Sequence, residues 1–142
     1  MDFLSLINKP IEQEIADFNG FFKSQLKSDV MLMNDALSFL SESIGKMMRP
    51  TLVLLVAKSI GNLNEKTFSA ATAVEMLHTA SLLHDDVIDE SDKRRGRPSL
   101  NTRFNNNVAV LAGDYLFSMA LNNTAKTGDI RVVDAISVMG RD

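Results

Sequence analysis

The chain has 142 residues, 45% hydrophobic and 23% charged, with a formal net charge of −3 and no cysteine. That length and balance suit one globular domain with its own core, and the negative charge excludes the basic footprint of a nucleic-acid binder. The absence of cysteine removes disulfide scaffolds, thiol nucleophiles and thiolate metal sites, and no apolar run is long enough to span a membrane.

Taken in chain order, Met1–Pro10 carries Asp2 and lacks the basic, apolar and small-residue layout of a signal peptide, so a cytoplasmic location is expected. Helical periodicity then predicts helices from Ile11 to Leu26, Asp29 to Ser43, Pro50 to Ile60, Glu65 to Glu90, Asn107 to Ala125 and Asp129 to Met139. No segment alternates at period two, and the expected fold is all-α. Pro50 suits a first helical turn, where its missing N–H is not needed. Asn62 and Asn64 flank the next break, and either can cap the long helix that follows.

That long helix holds the informative run, Glu75-Met76-Leu77-His78-Thr79-Ala80-Ser81-Leu82-Leu83-His84-Asp85-Asp86-Val87-Ile88-Asp89-Glu90. On a wheel with Ser81 at zero, Asp85 falls at about 40°, His78 at about 60° and Asp89 at about 80°. Leu83, Met76, Val87, Ala80, Ala73, Leu77 and Ile88 fill the opposite side, an arc that also takes His84, which reads as a hydrogen-bonded packing residue. Asp85 and Asp89 are one turn apart, with Cβ atoms about 6 Å from each other on one face. They repel each other, and the negative end of the helix dipole disfavours both. A bare pair of this kind is most often a solvated helix end. If a cation compensates them, oxygen-only ligands select a hard one, Mg²⁺ before Zn²⁺.

Basic groups shift that balance. Directly after the helix come Lys93-Arg94-Arg95-Gly96-Arg97, a charged turn whose forked guanidinium donors match diphosphate oxygens. Much earlier, Gly45-Lys46-Met47-Met48-Arg49-Pro50 sets Lys46 and Arg49 at a loop-to-helix junction, a place that binds anions. An acid-held metal with two separate basic groups is the layout expected for two diphosphates.

At these residues the sequence resembles the trans-isoprenyl (polyprenyl) diphosphate synthases, most closely their octaprenyl type. Leu82 to Gly96 is similar to that family's first aspartate-rich motif with its following Arg-Arg-Gly. Gly45 to Pro50 is similar to the upstream basic element, and Val110-Leu111-Ala112-Gly113-Asp114-Tyr115 to the next helix. Ile44 stands where the family often has a glycine, and Met47 where it often has a polar residue. The resemblance implies an isoprenoid-synthase-type helical bundle, Mg²⁺ as cofactor, and a likeness to homodimeric enzymes. It assigns Asp85 and Asp89 to the metal with Asp86 as helper, and Arg94 to the allylic prenyl diphosphate. It assigns Lys46, Arg49, His78 and Arg95 to isopentenyl diphosphate. Asp85, Asp89 and Arg94 are the implied catalytic set. The family's members are longer and carry a second aspartate-rich motif, so residues 1–142 are expected to be the N-terminal part of a single polyprenyl synthase domain, inactive alone.

Small residues stand before the first aspartate, Ala80 and Ser81, where short-chain members carry an aromatic plug. Long-chain all-trans products are therefore expected. The alternatives are a short-chain (farnesyl or geranylgeranyl) synthase and a non-catalytic subunit.

Overall fold

The computed structural model describes residues 3–141; Met1, Asp2 and Asp142, and the expectation drawn on Asp2, lie outside the described residues. The chain runs α1 (Phe3–Asn8), a 3-10 turn (Lys9–Ile11), α2 (Glu12–Gln25), α3 (Met31–Glu42), α4 (Met48–Ser59) and α5 (Glu65–Ile88). A two-stranded hairpin follows, β1 (Lys93–Arg94) and β2 (Arg97–Pro98), then α6 (Leu100–Arg103), α7 (Asn106–Lys126) and α8 (Ile130–Arg141). The architecture is the expected helical bundle. The six expected helices are present with ends shifted by a few residues, while α1, α6 and the hairpin were not foreseen.

The axis of the bundle is α5, whose 24 residues span about 36 Å. Its start is set by a capping box. Asn64 Oδ1 accepts from the backbone N–H of Lys66 (2.9 Å) and Thr67 (3.3 Å), and Thr67 Oγ1 accepts from the Asn64 N–H (3.1 Å). Of the two asparagines that flank the break, Asn64 is the cap. Its end is equally defined. Glu90 takes a left-handed φ of 53°, the Ser91 N–H donates to Asp86 O at 2.9 Å, and the Glu90 N–H donates to Val87 O at 3.3 Å. Those two bonds close the helix directly after Asp89, with a glutamate where glycine is usual.

α5 packs against α7 over much of its length. Small side chains are frequent among the buried residues of both helices, with Ala73 and Ala80 on the same side of α5 as His84, and Ala109, Ala112 and Ala120 on α7. Ile88, expected on the same apolar arc, is exposed, because it stands in the last turn of α5. Small residues let two helix backbones approach closely, and here that approach fixes the end of α5 beside the start of α7. His84 crosses this seam. Its Nε2 lies 3.2 Å from Val110 O and 3.4 Å from Asp114 Oδ1, and its ring packs 5.5 Å from that of Phe117. The larger side chains Phe18, Phe22, Leu37, Leu54, Met76 and Leu116 fill the core between α2, α3, α4, α5 and α7. Among the described residues, no helix is long and apolar enough to cross a membrane.

Gly113 is what admits His84 to the seam. A Cβ built there would stand 2.2 Å from His84 Nε2 and 2.5 Å from its Cδ2. The ring is held by Val110 O and Phe117, although it keeps an exposed edge. Gly113→Ala should therefore destabilise the fold by about 1–3 kcal/mol, the usual cost of overpacking a core. Thermal unfolding measures this, and His84→Ala in the same chain should recover part of the loss. An unchanged melting temperature in Gly113→Ala would contradict the packing described.

Candidate active site

The site is assembled from three segments distant in the chain: the α3–α4 loop with the first turn of α4, the C-terminal half of α5, and the hairpin. The hairpin is the shortest and the most constrained. Lys93 pairs with Pro98 and Arg94 with Arg97, leaving a loop of only two residues, Arg95 and Gly96. Both have positive φ, 53° and 76°, as a primed two-residue turn requires. Glycine adopts that conformation freely; an arginine does so at a cost, so its placement is imposed by its surroundings.

Those surroundings hold the hairpin at both ends. At its base, Ser99 Oγ donates to Ser91 O (2.7 Å), Asn101 Nδ2 donates to the same oxygen (3.2 Å), and the Ser99 N–H donates to Asp92 O (3.0 Å). On its flank, Arg97 donates to Glu42 O at 2.9 Å and to the Glu42 carboxylate at 3.3 Å, with its guanidinium 5.7 Å from the Phe39 ring centroid. Arg97 thereby satisfies the end of α3. Arg95 donates to Ser43 O at 3.3 Å. Its guanidinium lies flat over Gly45, so close that a Cβ there would fall 2.0 Å from Nη1. The glycine of the basic element is thus the seat of the arginine on the hairpin.

The strongest polar contact joins α5 to the hairpin. Arg94 Nε donates to Asp86 Oδ2 at 2.8 Å and Arg94 Nη2 to Asp86 Oδ1 at 2.7 Å, a forked two-bond pair. The Asp86 side chain is 3% exposed and that of Arg94 is 37% exposed. Asp86 raises the Arg94 pKa through these bonds, and Asp85 and Asp89 add to the effect at longer range. Asp86, expected as a helper at the metal, has a guanidinium for its partner. Arg94 retains Nη1 and an exposed edge for another anion.

Asp85 and Asp89 both stand exposed at the end of α5, on the face that the helical wheel assigns them. The backbone bond from Asp89 N to Asp85 O (2.8 Å) keeps them in helical register. Among the described residues, no three acidic or histidine side chains converge to hold a metal by themselves. Two exposed carboxylates one turn apart nevertheless fit Mg²⁺, which takes one or two carboxylates and fills its other positions with water and substrate phosphate.

Across from these acids lie the cations. Arg49, in the first turn of α4, and Lys46, in the loop before it, are exposed and make no hydrogen bond or ion pair among the described residues. Met47 between them is buried and left-handed (φ 52°), so the loop turns its two cations outward while anchoring on an apolar side chain. His78 is partly buried on α5. Burial lowers its pKa, and the positive charges of Arg49, Arg95 and Arg94 lower it further. Four of the expected diphosphate ligands, Arg49, His78, Arg94 and Arg95, therefore share one electrostatic neighbourhood. No contact ties Lys46 to it.

One residue of this neighbourhood had no assigned role. Glu75, one turn before His78, is only 7% exposed and lines the cavity beneath Arg94 and Arg95. A glutamate inside an otherwise apolar helical stretch was the available signal. The other feature unread in the sequence, the Asp86–Arg94 fork, needs the hairpin geometry. Ala80 and Ser81 also differ: Ser81 is exposed and bonds back to His78 O at 2.9 Å, whereas Ala80 is fully buried in the core. Only Ser81 borders the open face of the aspartates.

Residues 30–141 match the family model described as polyprenyl synthetase. The octaprenyl diphosphate synthase of Escherichia coli (strain K12) is 37% identical over 134 residues, which cover 94% of this chain and 42% of that protein. The geranyl-diphosphate-specific all-trans-nonaprenyl-diphosphate synthase of Rhodobacter capsulatus is 42% identical over 86% of this chain and 38% of its own length. Among solved structures, a Caulobacter crescentus polyprenyl synthase superposes with a TM-score of 0.90 at 30% identity, covering 97% of this chain and 42% of that one. A decaprenyl diphosphate synthase from Rhodobacter capsulatus gives 0.89 at 33% identity, covering 97% and 43%. The chain thus spans less than half the length of the relatives it matches.

The cations around His78 give a measurable consequence. In the free protein its imidazole should titrate below the ordinary value of 6.5, because burial and three neighbouring guanidinium groups all disfavour the imidazolium. A bound diphosphate reverses the sign of the local charge. The midpoint, followed by NMR of the ring protons, should therefore rise on adding inorganic pyrophosphate. A midpoint that stays put at saturating pyrophosphate would separate His78 from the anion site.

Proposed function

This chain belongs to the polyprenyl synthetase family, and on that premise we propose that the protein is a trans-prenyltransferase condensing isopentenyl diphosphate with an allylic prenyl diphosphate. The observation that carries the reading is the juxtaposition of exposed Asp85 and Asp89 with the cations Arg49, Arg94 and Arg95, across the Asp86–Arg94 fork. One diphosphate is bound on the acidic side and the other on the basic side. The relative from Caulobacter crescentus was solved with calcium and isoprenyl diphosphate, which supports a divalent cation and a prenyl diphosphate as ligands of this site.

Asp85 and Asp89 would hold Mg²⁺. When bound, the ion supplies positive charge that stabilises a departing diphosphate. The rest falls to the chain's own residues. Arg94, locked by Asp86 along one edge, presents its free edge to the allylic diphosphate and stabilises the charge that develops as the C–O bond breaks. Arg49, Arg95 and His78, with Lys46 from the loop, bind and orient isopentenyl diphosphate so that its double bond meets the allylic carbon. No side-chain nucleophile is needed. We place the enzyme in the cytoplasm as a homodimer, for which the exposed Val110, Leu111 and Leu121 of α7 offer an apolar stripe.

In the complete enzyme, activity should require Mg²⁺ or Mn²⁺. Asp85→Ala or Asp89→Ala should lower kcat by about a hundredfold or more without loss of fold, because each removes a ligand to the charge-stabilising ion. Turnover that persists in excess chelator would overturn the metal role.

Product length follows from Ser81. It is the small residue one turn before Asp85 on the open face, and no aromatic side chain stands there to stop an elongating tail. The enzyme should make long-chain all-trans products, of the kind used as quinone side chains, and Ser81→Phe should shorten them while sparing the first condensation. Ala80→Phe is no substitute test, since it overfills the core. Chromatography of the products from farnesyl and isopentenyl diphosphates decides the matter. A wild-type product ending at geranylgeranyl diphosphate would show a short-chain synthase instead.

A further inference from the structure

Glu75 is a carboxylate at 7% exposure with no hydrogen bond or ion pair among the described residues. Its oxygens are not sealed off from solvent but open onto a cavity, and a carboxylate on a residue so nearly buried, with no donor, has a use there or a partner in reach. Glu75 lines the cavity under the hairpin together with Ser43, Gly45, Arg94 and Arg95. It stands about 15 Å along the helix from Asp85, too far to share a metal ion with it. Burial raises its pKa above the ordinary carboxylate value, and the positive charges of Arg49 and Arg95 offset only part of that rise.

Those two arginines are also held less firmly than Arg94. Among the described residues Arg49 makes no hydrogen bond or ion pair, and Arg95 makes a single bond of 3.3 Å to Ser43 O. Arg94, by contrast, is locked through two short bonds to the buried Asp86. Glu75 and Asp86 are both on α5, both buried, and both on the wall of one cavity. The hairpin thus sets Arg94 and Arg95 on the wall of one cavity with two carboxylates, one of them already engaged, and the charge of Arg49 at the α4 start reaches the other.

We propose that Glu75 is a positioning residue: its buried carboxylate is the acceptor that orients the guanidinium groups of Arg49 and Arg95 toward isopentenyl diphosphate, as Asp86 orients Arg94. This rests on the assignment of those arginines to isopentenyl diphosphate. Long charged side chains lose rotamer freedom when they bind an anion, and an acceptor beneath them reduces that loss beforehand. Glu75 touches no substrate in this scheme; it acts through the two arginines.

The test turns on the sign of one change. Glu75→Gln keeps the shape and removes the charge. On Coulomb's law alone, deleting a negative charge beside an anion site tightens diphosphate binding and lowers KM. A positioning role predicts the reverse. In the complete enzyme, KM for isopentenyl diphosphate should rise about tenfold, with KM for the allylic diphosphate changed by less than about twofold. The melting temperature should hold or increase, since a buried charge has gone. Glu75→Asp should recover part of the loss, and the effects of Glu75→Gln and Arg49→Ala should be strongly non-additive. A KM for isopentenyl diphosphate that is unchanged or lower in Glu75→Gln overturns the proposal, as does a parallel rise in both KM values with a falling melting temperature. Should Glu75→Gln fail to fold, Glu75→Asp carries the same comparison, and equal effects on both substrates overturn it. A wild-type enzyme that does not turn over isopentenyl diphosphate would instead overturn the underlying assignment, and this proposal with it.

Discussion

The arrangement of the site depends on one forked ion pair. Asp86 and Arg94 lie eight residues apart, on either side of a helix end and a strand, and their two bonds tie the last turn of α5 to the hairpin. Once Arg94 is held, the two-residue turn has little freedom, and Arg95 must project from its tip. Arg97 then falls against the end of α3, and Arg95 against Gly45. A single carboxylate so places three arginines from one short segment. Removing one member of a fully buried pair typically costs about 3–5 kcal/mol. Here Arg94 keeps 37% of its exposure, which lowers that figure, so positioning outweighs stability in what the pair contributes.

Such a latch works only on a rigid base, and the α5–α7 seam supplies it. Small side chains bring the two helices together, and His84 crosses between them into the space that Gly113 leaves. This histidine adjoins Asp85 in sequence and is turned away from it in space. The core thereby claims one neighbour of the acidic face and leaves the other, Asp85, exposed. A helix less closely packed would let Asp85 and Asp89 rotate relative to the hairpin, and the separation of acids from bases would blur.

How much of this was legible in the sequence depends on the range of the interaction. The α5 wheel placed Asp85 and Asp89 outward and His84 inward because helical periodicity is a local property, and the structure shows each of them so. Asn64 as a cap is local in the same sense. The hairpin was read as a charged turn because two-residue strands have no periodicity to detect, and because Arg-Gly is not the usual pair for a primed turn. Asp86 was grouped with its neighbouring aspartates through the family resemblance. Its neighbour on the wheel, however, is Glu75, near 120–140°, where the cavity lies, rather than Asp85. That difference of angle separates the exposed face of Asp85 and Asp89 from an arginine-holding face. It was available in principle, but it acquires meaning only once the hairpin is seen to cover it.

The charge pattern along the rim follows from the same geometry. Asp85 and Asp89 repel each other at the negative end of α5, and Arg49 stands at the positive end of α4 beside Lys46; each group is placed where its own helix disfavours it. Among the described residues no ion pair joins Asp85 or Asp89 to Arg49 or Lys46. Asp86 is committed to Arg94, whose other edge stays open, so that pair neutralises neither set. The hairpin turn adds to this by committing Arg95 to Ser43 O and to the surface of Gly45 instead of to the aspartates. An unpaired acidic patch and an unpaired basic patch on one rim are locally unfavourable in isolation. Under the proposed function a dianionic group with a cation would bridge them and make the two favourable together, an arrangement that costs the fold stability when the site is empty.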